Sequence, residues 1–514
     1  MANSSMIALS PTVAEQSDGA VAVAPSSIAA ERPRANSFDV FDTLIARRCL
    51  EPWRIFERVG AKLGAANFVF HRKQAEAKVA IKPYTLDDIY AELVATGRLT
   101  PEQAEAGKAA EIAAEIDNVV PIAENLGKVR DGDVLISDMY LGETAIRQLL
   151  DKAGFTRKVG LVVSSDGKRS GDIWPKALSR IAIGRHLGDN RVSDIEMPAR
   201  HGIRCDHAAS SAPSDIETTL MGLNLRDLAL LCREARLRTW TDDAPLRHLQ
   251  LIQVNLNFPL LVLASVKLLR FVQETGAKRV LFSSRDSNLW LPLFEAMARD
   301  AGVDCVSEYF YTSRMARTNP SPDYLAYAGA RLGEGSIVVD LCGTGWSLAH
   351  LADRLGLHGQ PVFFIQKLPA SADYEGKAAT PETCRFDCLI GAEQTDLSNT
   401  RLEMCNYADH ASVRDVRLIH NAAVPVLEED RRTGPVLNAI AEQRGAFATA
   451  LSLLSVHRLS QPLGLPDQAL EELGLALYKA LSEQTLLSTV FFDGHMAEEN
   501  DVMVSLGIRA PHAI

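Results

Sequence analysis

The chain alternates short apolar runs with stretches of helical spacing. Ser37–Phe41, Asp133–Ser137 and Gly160–Ser165 read as buried strands, and so does the stretch leading to His186-Leu187-Gly188-Asp189. Continuous apolar runs bounded by turn residues fit strands covered on both faces. Between the first two, residues 45–130 change period. Trp53–Val59 and Leu86–Leu93 place apolar residues three and four apart, as a helix does, and Ala110–Val120 predicts another helix stopped by Pro121. A helix through Leu149 and Leu150 should stop at Gly154.

Past a polar segment at Ser210–Asp215 a helix is expected near Glu217–Trp240, followed by the turn Asp242-Asp243-Ala244-Pro245. The second half repeats the strand–helix rhythm. Arg279–Phe282, Glu308–Tyr311, Ile337–Asp340 and Pro361–Ile365 are predicted strands, the last closing the series, with helices through Leu289, Leu293 and Met297 and on to Leu355. Strands alternating with helices mean a parallel sheet with helices on its faces. Residues 375–425 show no regular pattern, and helical spacing returns from Val436, including Leu470–Leu486. No heptad run supports a coiled coil and no fixed-period repeat appears.

This pattern divides the chain into a disordered segment 1–35, an α/β domain 36–210 with a helical insertion at 45–130, a helical linker 211–245, a second α/β domain 246–425 and a helical region 426–514. The last would pack on the second domain or mediate self-association. A length of 514 residues fits two or three domains, and a hydrophobic content of 47% is ordinary for a globular protein. The net charge of −11 gives no footprint for nonspecific nucleic-acid binding. The first residues lack a basic start and a sustained apolar core, so no secretory signal is expected. The longest strongly apolar run, Phe258–Val266, is too short to span a bilayer. Eight cysteines are scattered with no Cys-x-x-Cys, which fits reduced core residues in a cytoplasm. Cys384, Cys388, Cys405 and His410 match no common zinc spacing.

Candidate chemistry lies at the ends of the first set of strands. Asp39 ends the first run, with Thr43 in the following turn; Ser137 and Asp138 end the second. Lys168 follows the third, and Gly188-Asp189 with Asp194 follows the last. Each residue has a plain alternative: Ser137 as a helix cap, Lys168 as a solvated surface group, the Asp–Asn segment as a turn. In order, the set SFDVFDTL, LISDMYL, VVSSDGKRSG and HLGDNRVSD resembles the haloacid dehalogenase (HAD) superfamily of aspartate-nucleophile phosphohydrolases, over about residues 36–208. More narrowly it resembles bacterial predicted hydrolases found beside or fused to enzymes of surface-polysaccharide assembly.

The resemblance implies a HAD-type Rossmann-like parallel sheet with an inserted helical cap. It implies a magnesium-dependent hydrolase acting on a small phosphorylated substrate, a sugar phosphate or nucleotide sugar, with a glycosyltransferase as partner and a homo-oligomer as an open alternative. Asp39 would be nucleophile and metal ligand, Ser137 would bind the phosphoryl group, and Lys168 would stabilise the shared charge. Asp189 would ligate magnesium, Asp194 would ligate it or orient its waters, and Phe41 would offer its main-chain carbonyl. Thr43, Arg47 and Asp138 are the candidate substrate contacts. For Arg47, Arg72 and Lys73, all on the cap, structural ion pairing is the competing reading.

One departure stands out. Such phosphatases carry a second aspartate two residues past the nucleophile as general acid and base, and here that residue is Phe41. Asp42 is adjacent, but neighbours on a strand face opposite ways, so it serves only if the chain has already turned. Without an acid the domain would need a good leaving group, an acid from the cap, or a binding role without turnover. The second half offers its own candidate, a loop Asp340–Ser347 suited to phosphate. With Arg285 and Asp286 it is vaguely similar to phosphoribosyltransferases, although Leu341 stands where those enzymes carry a second acidic residue.

Overall fold

A computed structural model describes residues 34–81, 83–369, 383–394, 397, 399–491 and 494. The segment expected to be disordered lies outside them except for Arg34 and Ala35, and Ala35 already opens the first strand. The chain forms two compact α/β units. One runs to Asp215 and takes in Leu237–Trp240; the other comprises Ile216–Arg236 and the chain from Thr241 onward.

The first unit contains β1 (Ala35–Phe38), β2 (Ile45–Arg47), β3 (Val119–Pro121), β4 (Val134–Asp138), β5 (Gly160–Ser164), β6 (Ile183–Gly188) and β7 (Arg204–His207). Five of these form a Rossmann-like sheet in the order β5-β4-β1-β6-β7, with every pairing parallel. From β1 the chain crosses toward β4 and β5, and from β6 it crosses to β7 on the other side. The order therefore reverses between the neighbours β1 and β6, and a crevice at the carboxyl ends of such strands is where open α/β sheets take ligands.

The insertion hangs on β2 and β3, which pair antiparallel. It holds helices Trp53–Leu63, Phe68–Val79, Leu86–Ala95 and Pro101–Asn118. The last of these differs from the predicted Ala110–Val120. It starts earlier because Thr100 and Gln103 form a reciprocal cap with Pro101 in the first turn. It ends at Asn118 because Val119–Pro121 is drawn into pairing with Ile45–Arg47. Arg72 lies fully buried between the rings of Phe56 and Tyr140, donating to Glu111 at 2.7 and 3.0 Å. Tyr90 donates to the same carboxylate at 2.9 Å. Arg72 is thus structural. Removing one partner from such a buried pair costs about 3–5 kcal/mol.

The second unit contains β8 (Arg279–Ser283), β9 (Val306–Phe310), β10 (Ser336–Gly343), β11 (Gln360–Lys367), β12 (Cys384–Ile390), β13 (Val413–Ile419) and β14 (Ala422–Leu427). Its sheet runs β12-β11-β10-β8-β9, again all parallel, and β13 and β14 form a hairpin. Two expectations need correction here. The series does not close at Ile365, because β12 adds a fifth strand. The region 375–425 is not wholly irregular, since β12 and the hairpin lie within it; its residues 375–382, 395, 396 and 398 fall outside those described. Polar Arg385 and Asp387 interrupt β12, as suits an edge strand, and that hid its pattern.

The helix expected near Glu217–Trp240 is two helices, Asp215–Gly222 and Arg226–Arg238. Asn224 between them sits at φ 59, a left-handed conformation that ends helical bonding. The apolar run Phe258–Val266 belongs to one continuous helix, Ala244–Thr275, of 32 residues. By length and composition it would cross a membrane, but 89% of its most apolar window is buried within the protein. Helices Gly434–Ser452 and Asp467–Ser482 share its core, with Phe447 against Phe258 and with Leu470, Leu477 and Tyr478 in the same cluster as Val280, Phe282 and Phe363.

Candidate active site

The carboxyl edge of the first sheet opens into a cavity of about 580 Å³. Asp39 follows β1 directly, Ser137 and Asp138 end β4, and Asp189 follows β6; all three strands deliver their polar ends to this wall. Lys168 reaches it from a short helix, Gly167–Ser170, after β5. Far from being a solvated surface group, Lys168 is only 2% exposed. Its ammonium donates to Asp39 and, at 2.6 Å, to Asp194. Thr43 donates its hydroxyl to the other oxygen of Asp39 at 3.1 Å. Asp39, Asp189 and Asp194 offer carboxylate oxygens within 4.8 Å of one another, the one such cluster of potential metal ligands among the described residues.

Burial pushes the Asp39 carboxyl up to about 6, against the opposing pull of Lys168. Burial also raises Asp189, to about 7, helped by the charges of Asp39, Asp42 and Asp194. Lys168 stays protonated: burial would lower its pKa, but Asp39 and Asp194 outweigh it. Three carboxylates against one ammonium leave an excess of negative charge in a confined space, so the donor set fits a hard, oxygen-preferring cation.

Asp194 plays a distinct part. Its two oxygens accept from four donors: Lys168, the His186 ring at 3.2 Å, the Asn190 main-chain N–H at 3.0 Å and the Ser193 hydroxyl at 3.3 Å. A carboxylate has about four lone-pair directions, and here each is taken. Asp194 therefore holds Lys168 in place, with Asp39 and Asp189 as the better-placed metal ligands. Burial would raise its pKa, yet the His186 and Lys168 contacts hold it down at about 2. Burial lowers the pKa of His186 and keeps its ring neutral. Because ionised Asp194 can only accept, Nε2 of His186 carries the proton, and Nδ1 takes the Ser37 hydroxyl at 2.8 Å. Gly188 makes this approach possible, since a Cβ there would lie 2.4 Å from the Asp194 side chain.

Asp138 accepts the main-chain N–H groups of Lys168 and Arg169 and so fixes the lysine's helix. Arg47 lines the cavity with its guanidinium held by Glu115 at 2.8 Å and lying 4.5 Å over the Phe41 ring. Asp42 is the acidic residue next to Phe41. It sits at φ 57, in a turn immediately past the strand end, and lines the same cavity as Asp39. The chain has turned, so Asp39 and Asp42, three residues apart, line one space. His186 and Gly188 were not assigned roles from sequence; a histidine inside a strand, two residues before a glycine, was the available signal.

Comparison with protein-family models and with curated proteins finds no match to the chain.

Proposed function

We propose that the first unit is a magnesium-dependent phosphohydrolase of the HAD type, using Asp39 as nucleophile on a phosphorylated metabolite. The convergence of Asp39, Lys168, Asp189 and Asp194 on one crevice carries this reading. In the reaction, a carboxylate oxygen of Asp39 attacks phosphorus as the bond to the substrate oxygen breaks. Asp42 gives its proton to that departing oxygen. A water then loses a proton to Asp42 and attacks the phosphorus of the aspartyl phosphate, freeing phosphate and restoring Asp39. Lys168 offsets negative charge throughout, and Ser137 hydrogen-bonds a phosphoryl oxygen. Asp39, Asp189 and the Phe41 carbonyl would hold magnesium, which when bound polarises the phosphoryl group and offsets its charge.

A sugar phosphate or nucleotide-linked sugar is the favoured substrate class, with a cytoplasmic setting and a glycosyltransferase partner. The substrate class and partner rest on the polysaccharide-assembly company of the proteins the motifs resemble, and the cytoplasmic setting on the scattered cysteines. A second reading, binding of phosphorylated ligands without turnover, draws on Phe41, whose ring supports Arg47 where a carboxylate would be expected. Phosphate release from a panel of sugar phosphates and nucleotides, with and without magnesium, separates the two. Release that requires both metal and Asp39 supports hydrolysis; folded, magnesium-binding protein that releases none supports the binding role.

A further inference from the structure

The helical insertion carries a surface feature that the site at the sheet edge does not use. Its first two helices, Trp53–Leu63 and Phe68–Val79, together line an open groove of about 600 Å³. None of the residues lining this groove lines the cavity around Asp39. Its lining is largely apolar, with Phe56, Gly60, Ala65, Phe68 and Val69. Gly60 lets the two helices come this close, since a Cβ there would lie 2.8 Å from the Cβ of Phe68.

Phe70 belongs to the same groove, yet its side chain is 59% exposed. Among the described residues it is the one phenylalanine, tyrosine or tryptophan left exposed. A projecting ring beside an apolar groove makes a contiguous patch, the kind of surface that marks an interaction site. Two opposite charges flank it. Glu57, on the first helix, meets Arg54 of its own helix at 3.7 Å. Lys73, on the second, has no acidic partner among the described residues and lies 5.7 Å from the Trp53 ring.

We propose that this face pairs with the same face of a second copy of the chain. The patch complements itself in shape and in charge: it holds both a projecting ring and a groove, and both an acid and a base. Under a twofold axis each Phe70 enters the other copy's groove, and each Glu57 meets the other copy's Lys73. An unrelated partner gives no reason for both halves of each pair to lie on one patch. Two buried rings and the surfaces they cover amount to about 600–1,000 Å². Stable complexes begin near ~1,200 Å², so the dimer is weak and depends on concentration. The inference stands whether or not the first unit turns over.

Sedimentation of the full chain over a wide concentration series tests it. The mass should rise from one chain to two, and Phe70→Asp should move that transition to at least tenfold higher concentration. Glu57→Lys and Lys73→Glu should each weaken self-association by setting like charges opposite one another. Mixed together, those two single variants should associate with each other, because every contact then joins an acid to a base. Thermal melting checks that each variant is folded, and the charge variants decide alone if Phe70→Asp does not fold. A chain that stays single at every concentration, or that grows past two, would overturn the proposal. So would association indifferent to folded Phe70→Asp, or a mixture of the two charge variants that associates no better than either alone.

Discussion

Each parallel sheet opens a crevice at the carboxyl ends of its strands, and the two are furnished in opposite ways. In the first, three carboxylates crowd around a single buried lysine, and burial holds Asp39 and Asp189 at raised pKa. In the second, two guanidinium groups have carboxylate partners: Arg317 with Asp340 and Arg285 with Asp286. Strand order decides where a site falls, while the residues at the strand ends decide its chemistry. Unbalanced negative charge suits a metal and a covalent step; paired charges offset one another and need neither.

Substitutions can break that contrast. The largest effect is expected from Asp39→Asn, which should lower phosphate release by about 10⁴-fold or more, the scale on which a lost nucleophile acts. Release that survives in the folded variant would place the chemistry outside the first crevice and mean that the contrast is wrong.

Asp42→Asn comes next. Loss of a general acid costs about 10²- to 10⁴-fold. The loss should be large for a sugar phosphate and small for p-nitrophenyl phosphate, whose leaving group needs no proton. Equal losses on the two substrates would remove Asp42 from the acid's role.

The smallest effects come from a matched pair of glycines. Gly188→Ala drives a Cβ into Asp194, and Gly345→Ala drives one into Phe386 at a strained φ. Each should cost its own unit about 1–3 kcal/mol of stability by overpacking. Only Gly188→Ala should also depress phosphate release, because it displaces the carboxylate that holds Lys168. Thermal melting with parallel activity assays reads both.

How much of this was legible in the sequence follows from what sequence carries. The apolar runs ending at Asp39, Ser137 and Asp189 declared buried strands, and parallel α/β topology brings such ends to one edge. Lys168 was harder to place, since a lysine in a polar stretch looks solvated until tertiary contacts bury it against Asp39 and Asp194. A turn at Thr43 was legible, but whether Asp42 already lay within it was not, because a left-handed φ at an aspartate leaves no mark on hydrophobic period. His186 was read only as part of a strand; its bond to Asp194 depends on the chain folding back past Gly188. β12 and the extension of the apolar run Phe258–Val266 into the helix Ala244–Thr275 were decided by packing against the sheet, which local pattern does not record.

The central claim is that Asp39 takes the phosphoryl group covalently. Acid-quenching the wild-type protein during turnover with its best phosphorylated substrate and magnesium, then sequencing peptides by mass spectrometry, tests this directly. The account predicts a phosphoryl group on the Asp39 peptide that appears only with substrate and is lost on chase. Phosphate release that proceeds with that peptide unmodified, and persists in Asp39→Asn, would contradict it.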